Sequence, residues 1–178
     1  ESVELDNPRA LDKDELTLLS FNIGYGGLGK DEDFFMDGGS KVMPESVEVV
    51  EGYLSGILGT LKENPADFYL IQEVDKNSKR SYGIDQAKAL YVPFPLPTIG
   101  KVHSGLQTLS SYRPSLYYRK SLPVPFKWPV RTVNLKRALL VEEYEIEGRE
   151  EKFILINTHL EAYDDGQGKL DQSRELLK

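Results

Sequence analysis

Three short apolar runs in this chain each end on a residue that can hold a cation or a phosphate. Leu18-Leu19-Ser20-Phe21 ends on Asn22, and Phe68-Tyr69-Leu70-Ile71-Gln72 ends on Glu73. Phe153-Ile154-Leu155-Ile156 ends on Asn157, with His159 two positions further on. A carboxylate is a hard anionic oxygen donor of the kind Mg2+ selects, whereas an amide alone binds it weakly. An imidazole can donate a hydrogen bond or a proton near neutral pH. These are the parts needed to attack an anionic ester: a cation to neutralise non-bridging oxygens and a donor to help a leaving oxygen depart. Taken singly, each residue has a simpler reading. Asn22 stands just before Gly24, Gly26, Gly27 and Gly29 and could serve only a turn. Glu73 could be a solvated strand-end charge, and His159 a hydrogen-bonded core histidine. Their joint placement at the ends of three strands favours a site, because such ends aim polar side chains into a cleft above a sheet.

The elements that must position these residues follow from the pattern. Leu16 to Phe21 reads as a buried strand feeding a glycine-rich loop. Val47, Val50, Leu54, Ile57, Leu58 and Leu61 fall on one helical stripe that starts after Pro44 and stops at Asn64-Pro65. Asp67 to Glu73 is a second buried strand, so the crossover is long enough to cover a sheet. Residues 76–105 read as irregular, with Pro93, Pro95 and Pro97 extending the chain. Leu106–Tyr112 and Ser115–Arg119 are strand-like, and Pro123, Pro125 and Pro129 break the region after them. Arg137–Ile146 and Lys152–Asn157 flank Glu147-Gly148-Arg149 as a β-hairpin. Alternation sets Asn157 and His159 on one face of the last strand. An amphipathic helix begins near Gln172. Residues 1–14 read as a polar lead-in and 15–178 as part of one domain, and one helix followed mostly by strands favours the α+β class.

Composition narrows the chemistry. With 178 residues, 39% of them hydrophobic, the chain can bury a real core. It has no Cys, which excludes a disulfide framework, thiol catalysis and thiolate-bound zinc. With only two His, His103 and His159, a His-rich metal site is excluded too. A bound metal would then rest on oxygen ligands, which points to Mg2+, Mn2+ or Ca2+. The net charge of −7 argues against a wide basic face clamping duplex DNA, but not against an enzyme that meets phosphate through a cation. No apolar run reaches membrane-spanning length. Glu1, in place of Met, reads as a processed boundary, which leaves exported, membrane-anchored and cytoplasmic parents all open.

In order, Leu18-Leu19-Ser20-Phe21-Asn22-Ile23, Leu70-Ile71-Gln72-Glu73-Val74-Asp75 and Ile156-Asn157-Thr158-His159-Leu160 resemble the opening motifs of the endonuclease/exonuclease/phosphatase superfamily. Gly105-Leu106 and Leu109-Ser110 lie between them as in that family. Asn22-Ile23-Gly24-Tyr25-Gly26, Phe34-Phe35-Met36-Asp37-Gly38-Gly39 and Arg80-Ser81-Tyr82 resemble a bacterial branch of it. The resemblance implies a four-layer α/β sandwich, two mainly antiparallel sheets flanked by helices, and a Mg2+-dependent hydrolase of phosphoester bonds, with Mn2+ as an alternative cofactor. It implies that Glu73 is the principal metal ligand and that Asn22 sits beside the metal. His159 then contacts the scissile phosphate and assists the leaving oxygen, and Asn157 supports it or lines the site. Arg80 could bind phosphate or form a surface salt bridge; Tyr82, His103 and Tyr112 are weaker candidates. The substrate could be a small phosphoester, a lipid head group or a nucleic acid, so phosphodiesterase, phosphatase and nuclease all remain open.

Two later motifs of that family do not occur: a Gly-Asp-Phe-Asn type turn and a Ser-Asp-His type ending. Asp164-Asp165-Gly166 and Asp171 follow His159 in a loop-like context instead, with Lys169 and Gln172 reading as part of the next helix. The chain therefore reads as an N-terminal portion of such a domain, expected to bind Mg2+ weakly and turn over little by itself. Sheet surface left open in this way could pair with another chain. The alternative is a non-catalytic binding or pseudoenzyme domain of the same fold.

Overall fold

The computed structural model of the chain describes residues 2–33, 38–41, 43–89, 105–126, 137–160 and 166–177. In chain order the elements are β1 (Ser2–Glu4), β2 (Leu18–Asn22), α1 (Val47–Glu63), β3 (Phe68–Val74), α2 (Gln86–Ala89), β4 (Gly105–Ser110), β5 (Leu116–Ser121), β6 (Ala138–Glu145), β7 (Lys152–Thr158) and α3 (Gln167–Leu176). Single 3-10 turns lie at Gly24–Gly26 and Lys79–Ser81. The chain divides into two units, Lys13–Tyr112 and a second made of Glu1–Asp12 with Arg113–Lys178.

In the first unit, four consecutive apolar residues from Phe68 to Ile71 demand a strand covered on both faces. β3 meets that demand as the centre of a three-stranded sheet of order β2-β3-β4, and all four of those residues are buried. β2 runs parallel to it from Leu18↔Phe68 to Asn22↔Gln72, and β4 runs antiparallel. The parallel pairing needs a crossover, and α1 lies within it. The Ser46 hydroxyl caps α1 by accepting from the Val49 N–H, and Asn64 closes its end by donating to the Thr60 carbonyl. Pro65 forbids continuation. Val50, Leu54 and Leu61 on one helix face pack with Ile23, Tyr69, Ile71, Val74 and Leu109 as the core of this unit. β2 is less buried than its apolar run predicts. As an edge strand it alternates, with Leu19 and Phe21 packed against the core and Leu18 51% exposed.

The starts of β2 and β3 are tied by one carboxylate. Asp67 accepts from the Thr17 N–H and hydroxyl, both at 2.9 Å, and pairs with the Lys13 ammonium. Burial alone raises its pKa, but the hydrogen bonds from Lys13 and Thr17 outweigh burial and hold the carboxyl below its ordinary 3.8.

In the second unit, β1-β5-β6-β7 form an antiparallel sheet. β6 and β7 are the expected hairpin, turned at Gly148 with φ +72°. The expected lead-in takes part in this sheet. β1 pairs with β5, Arg9 bridges Arg113, and Leu11 bridges Ile146 while only 2% exposed. A short edge strand needs backbone pairing and little apolar sequence, so its polar composition conceals it. α3 starts at Gln167, five residues before the position expected, after Gly166 in the left-handed region. Gln172 is fully buried, and its amide donates to the Pro123 carbonyl at 2.9 Å.

The chain is α+β as expected. Among the described residues there are two sheets and three helices, with four of the five strand pairings antiparallel. Among the described residues no helix is long and apolar enough to cross a membrane.

Two predictions follow from this packing. Leu61→Ala, at a position with no exposure, lowers the unfolding free energy in urea by about 2–4 kcal/mol, whereas Leu18→Ala changes it by less than about 0.5 kcal/mol. A carboxyl whose folded pKa is depressed contributes stability above its unfolded pKa and loses it as pH falls through the folded value. Urea midpoints measured from about pH 5 to about pH 2 therefore fall more steeply in the wild type than in Asp67→Asn, starting near the ordinary value of 3.8.

Candidate functional site

Strict alternation along β3 sets a conflict. Tyr69 and Ile71 face the α1 core, so position 73 would drive a carboxylate into it. The ladder resolves this with a β-bulge. Gln72 pairs with Leu106 and Val74 with Gly105, which leaves Glu73 as the extra residue. Val74 takes the core position at 1% exposure, and Glu73 is half-buried with φ +56°. A left-handed conformation at a residue other than glycine costs about 1 kcal/mol or more, so the packing around it must hold it there.

Asn22 ends the neighbouring parallel strand. Its Nδ2 donates to Glu73 Oε1 at 3.1 Å, and its Oδ1 accepts from the Gly24 N–H at 2.9 Å. The amide thus forms the turn and meets the carboxylate at the same time. The turn stays left-handed through Gly24 (φ +52°), Tyr25 (φ +43°) and Gly26 (φ +61°). A Cβ on Gly24 would lie 2.9 Å from Leu28, and one on Gly26 would lie 3.2 Å from Leu54, so space and backbone both require glycine there. A cavity of about 340 Å3 opens beside Asn22, lined by Phe21, Ile23, Leu28, Tyr53 and Ile57 together with the loop glycines.

Arg80 forms the salt bridge that the sequence left as one of its two readings. Its Nε and Nη2 fork onto the two carboxylate oxygens of Asp75 at 2.8 Å each, and Ser81 Oγ donates to Asp75 Oδ2 at 3.2 Å. Its guanidinium carbon lies 3.8 Å from the Tyr25 ring centroid. Burial alone would lower the Arg80 pKa, but Asp75 outweighs it and holds the group charged.

Asn157 and His159 lie in the other unit. Asn157 has no exposure and shares a face of β7 with buried Leu155, while Ile154 and Ile156 point outward at 48% and 39% exposure. His159 follows β7 directly and is half-buried. Among the expected site residues, Asn22 meets Glu73 within the first unit. Of the weaker candidates, Tyr82 donates its hydroxyl to the Pro44 carbonyl at 2.7 Å. Tyr112 is buried with its ring stacked on Phe68, a core role. His103, Phe34 to Asp37, the run from Pro93 to Pro97, Asp164 and Asp165 lie outside the described residues.

The donor set rests on the Glu73 carboxylate, whose hard oxygens are right in kind for Mg2+ or Mn2+; Asn22 turns its N–H toward that carboxylate and its oxygen toward the Gly24 N–H. The set is short in number, since among the described residues no three His, Asp or Glu side chains gather as a metal site. Sequence reasoning missed the bulge, although the core spacing of Tyr69, Ile71 and Val74 carries its signature. It also missed buried Gln86, for which the local pattern holds no signal.

If the left-handed backbone at Glu73 is strained, Glu73→Gly stabilises the fold by about 0.5–1 kcal/mol while deleting the carboxylate. Urea unfolding checks this, and a lowered midpoint would contradict it. No protein-family model matches this sequence, and a search of curated proteins finds no match.

Proposed function

We propose that this chain carries part of a Mg2+-dependent phosphoester hydrolase site, with Mn2+ able to replace Mg2+. The observation that carries the reading is the Asn22–Glu73 contact at the ends of two parallel strands, made through a residue held in the left-handed region. A fold tolerates such strain most often where a side chain must be aimed for function. The order of the strand-end motifs and the α+β architecture support the same reading.

On this reading Glu73 would hold the cation with Asn22 beside it, and a bound cation would neutralise phosphate oxygens and the charge growing on the leaving oxygen. The Asn22 amide, fixed at one end by Gly24, orients the Glu73 carboxylate at the other. The resemblance would give His159 the hydrogen bond or proton for the leaving oxygen and Asn157, buried on the same strand, the role of its support. Arg80 has its fork occupied by Asp75, so it contributes through its place beside the loop rather than by gripping phosphate. The net charge of −7 favours small phosphoesters or lipid head groups over non-specific duplex binding.

A second reading, a non-catalytic domain of the same fold, is favoured by one observation: among the described residues no three His, Asp or Glu side chains gather, which predicts weak cation binding. A phosphoester panel in Mg2+ and in Mn2+ separates the two. The hydrolase reading predicts slow, chelator-sensitive turnover, reduced at least about tenfold by Glu73→Ala and by His159→Ala with the urea midpoint little changed. Turnover that neither substitution alters would contradict it. Cation binding with no turnover on any ester would favour the non-catalytic domain.

A further inference from the structure

We propose that Gln86 is a positioning residue that holds the Asn22–Glu73 pair in its observed geometry. Gln86 is fully buried. Its Oε1 accepts from the Asp75 N–H at 2.9 Å, and its Nε2 donates to the Tyr25 carbonyl. Its own N–H donates to the Asp75 carbonyl at 3.1 Å. Asp75 lies two residues after Glu73, and Tyr25 three after Asn22. One amide side chain therefore bridges the two segments that leave the pair.

Both segments need the bridge. Glu73 and Tyr25 are left-handed without being glycine, and such residues persist only where their surroundings over-determine them. A buried amide fixes its neighbours well, because losing either partner leaves a polar group unsatisfied in the interior. The primary amide of Gln offers a donor and an acceptor on separate atoms of one neutral group. A second tie runs in parallel: Arg80 forks onto the Asp75 side chain while lying over the Tyr25 ring. Gln86 grips the backbone of the same two residues.

The functional consequence rests on the reading of the pair as a cation site, but its geometry can be tested without a cation. NMR on the full chain compares wild type, Gln86→Met, Gln86→Glu and Leu61→Val. Methionine keeps the length and loses both bonds; glutamate keeps the acceptor for Asp75 and loses the donor to Tyr25. Leu61→Val is the control for a general loss of stability. In Gln86→Met we expect exchange of the Asp75 amide to quicken by about tenfold beyond any change in the slowest core amides. The Asn22 side-chain amide resonances move to solvent values, and Mn2+ affinity, read from the free-ion electron paramagnetic signal, falls by about fivefold or more. Gln86→Glu keeps Asp75 protection yet still shifts the Asn22 resonances, and it decides the matter should Gln86→Met not fold. The proposal is overturned if the Asn22 resonances stay as in the wild type in the Gln86 variants, or if Leu61→Val moves them equally. If the wild type binds no Mn2+, the hydrolase reading fails, while the exchange and Asn22 readouts still decide the role of Gln86.

Discussion

A central strand that is apolar on both faces can present a carboxylate at its end only by breaking its own alternation. β3 does so at Glu73. The inserted residue lets Val74 fill the core position that Glu73 would have spoiled, and it turns the carboxylate toward Asn22 on the adjacent strand. Much of the surrounding structure answers to that step. The parallel register of β2 places Asn22 beside Gln72, one residue from the bulge. The glycines after Asn22 let the chain turn tightly enough for its amide to serve both the loop and the carboxylate. The α1 stripe keeps β3 fixed from one side.

The two ends of β3 are built differently. At its start, the Asp67 carboxylate accepts from Thr17 and pairs with Lys13, a tie that stabilises. At its end, left-handed residues cluster: Tyr25, Glu73, Asn77 and Tyr82 all have positive φ. Buried polar groups oppose that strain, with Gln86 and the Asp75–Arg80 fork meeting around Tyr25. Rigid packing below and compensated strain above is the division expected when a scaffold must hold a polar group to a narrow geometry.

The sequence disclosed elements whose signals are local and periodic. The α1 stripe ran between Pro44 and Asn64-Pro65, and the structure ends the helix at Glu63 with Asn64 as its cap. The 138–158 hairpin was legible from its Gly148 turn. β1 was not, because edge pairing needs backbone rather than apolar side chains. Burial was misjudged on β2, where Leu18 is exposed, because an apolar run does not say that only one face of its strand meets the core. Asn22 and Glu73 were legible as strand-end polar residues, but their contact was not, since it depends on strand order. Gln86 was invisible: its partners lie 11 and 61 positions away, beyond any periodic pattern.

Glu73, turned out by the bulge, is the proposed ligand for a divalent cation. An anomalous difference map from crystals of the chain grown with Mn2+ tests this. A peak is expected at coordination distance, about 2.0–2.6 Å, from a Glu73 carboxylate oxygen, with Asn22 alongside. Mn2+ bound only at other acidic groups, with no peak at Glu73, would contradict it.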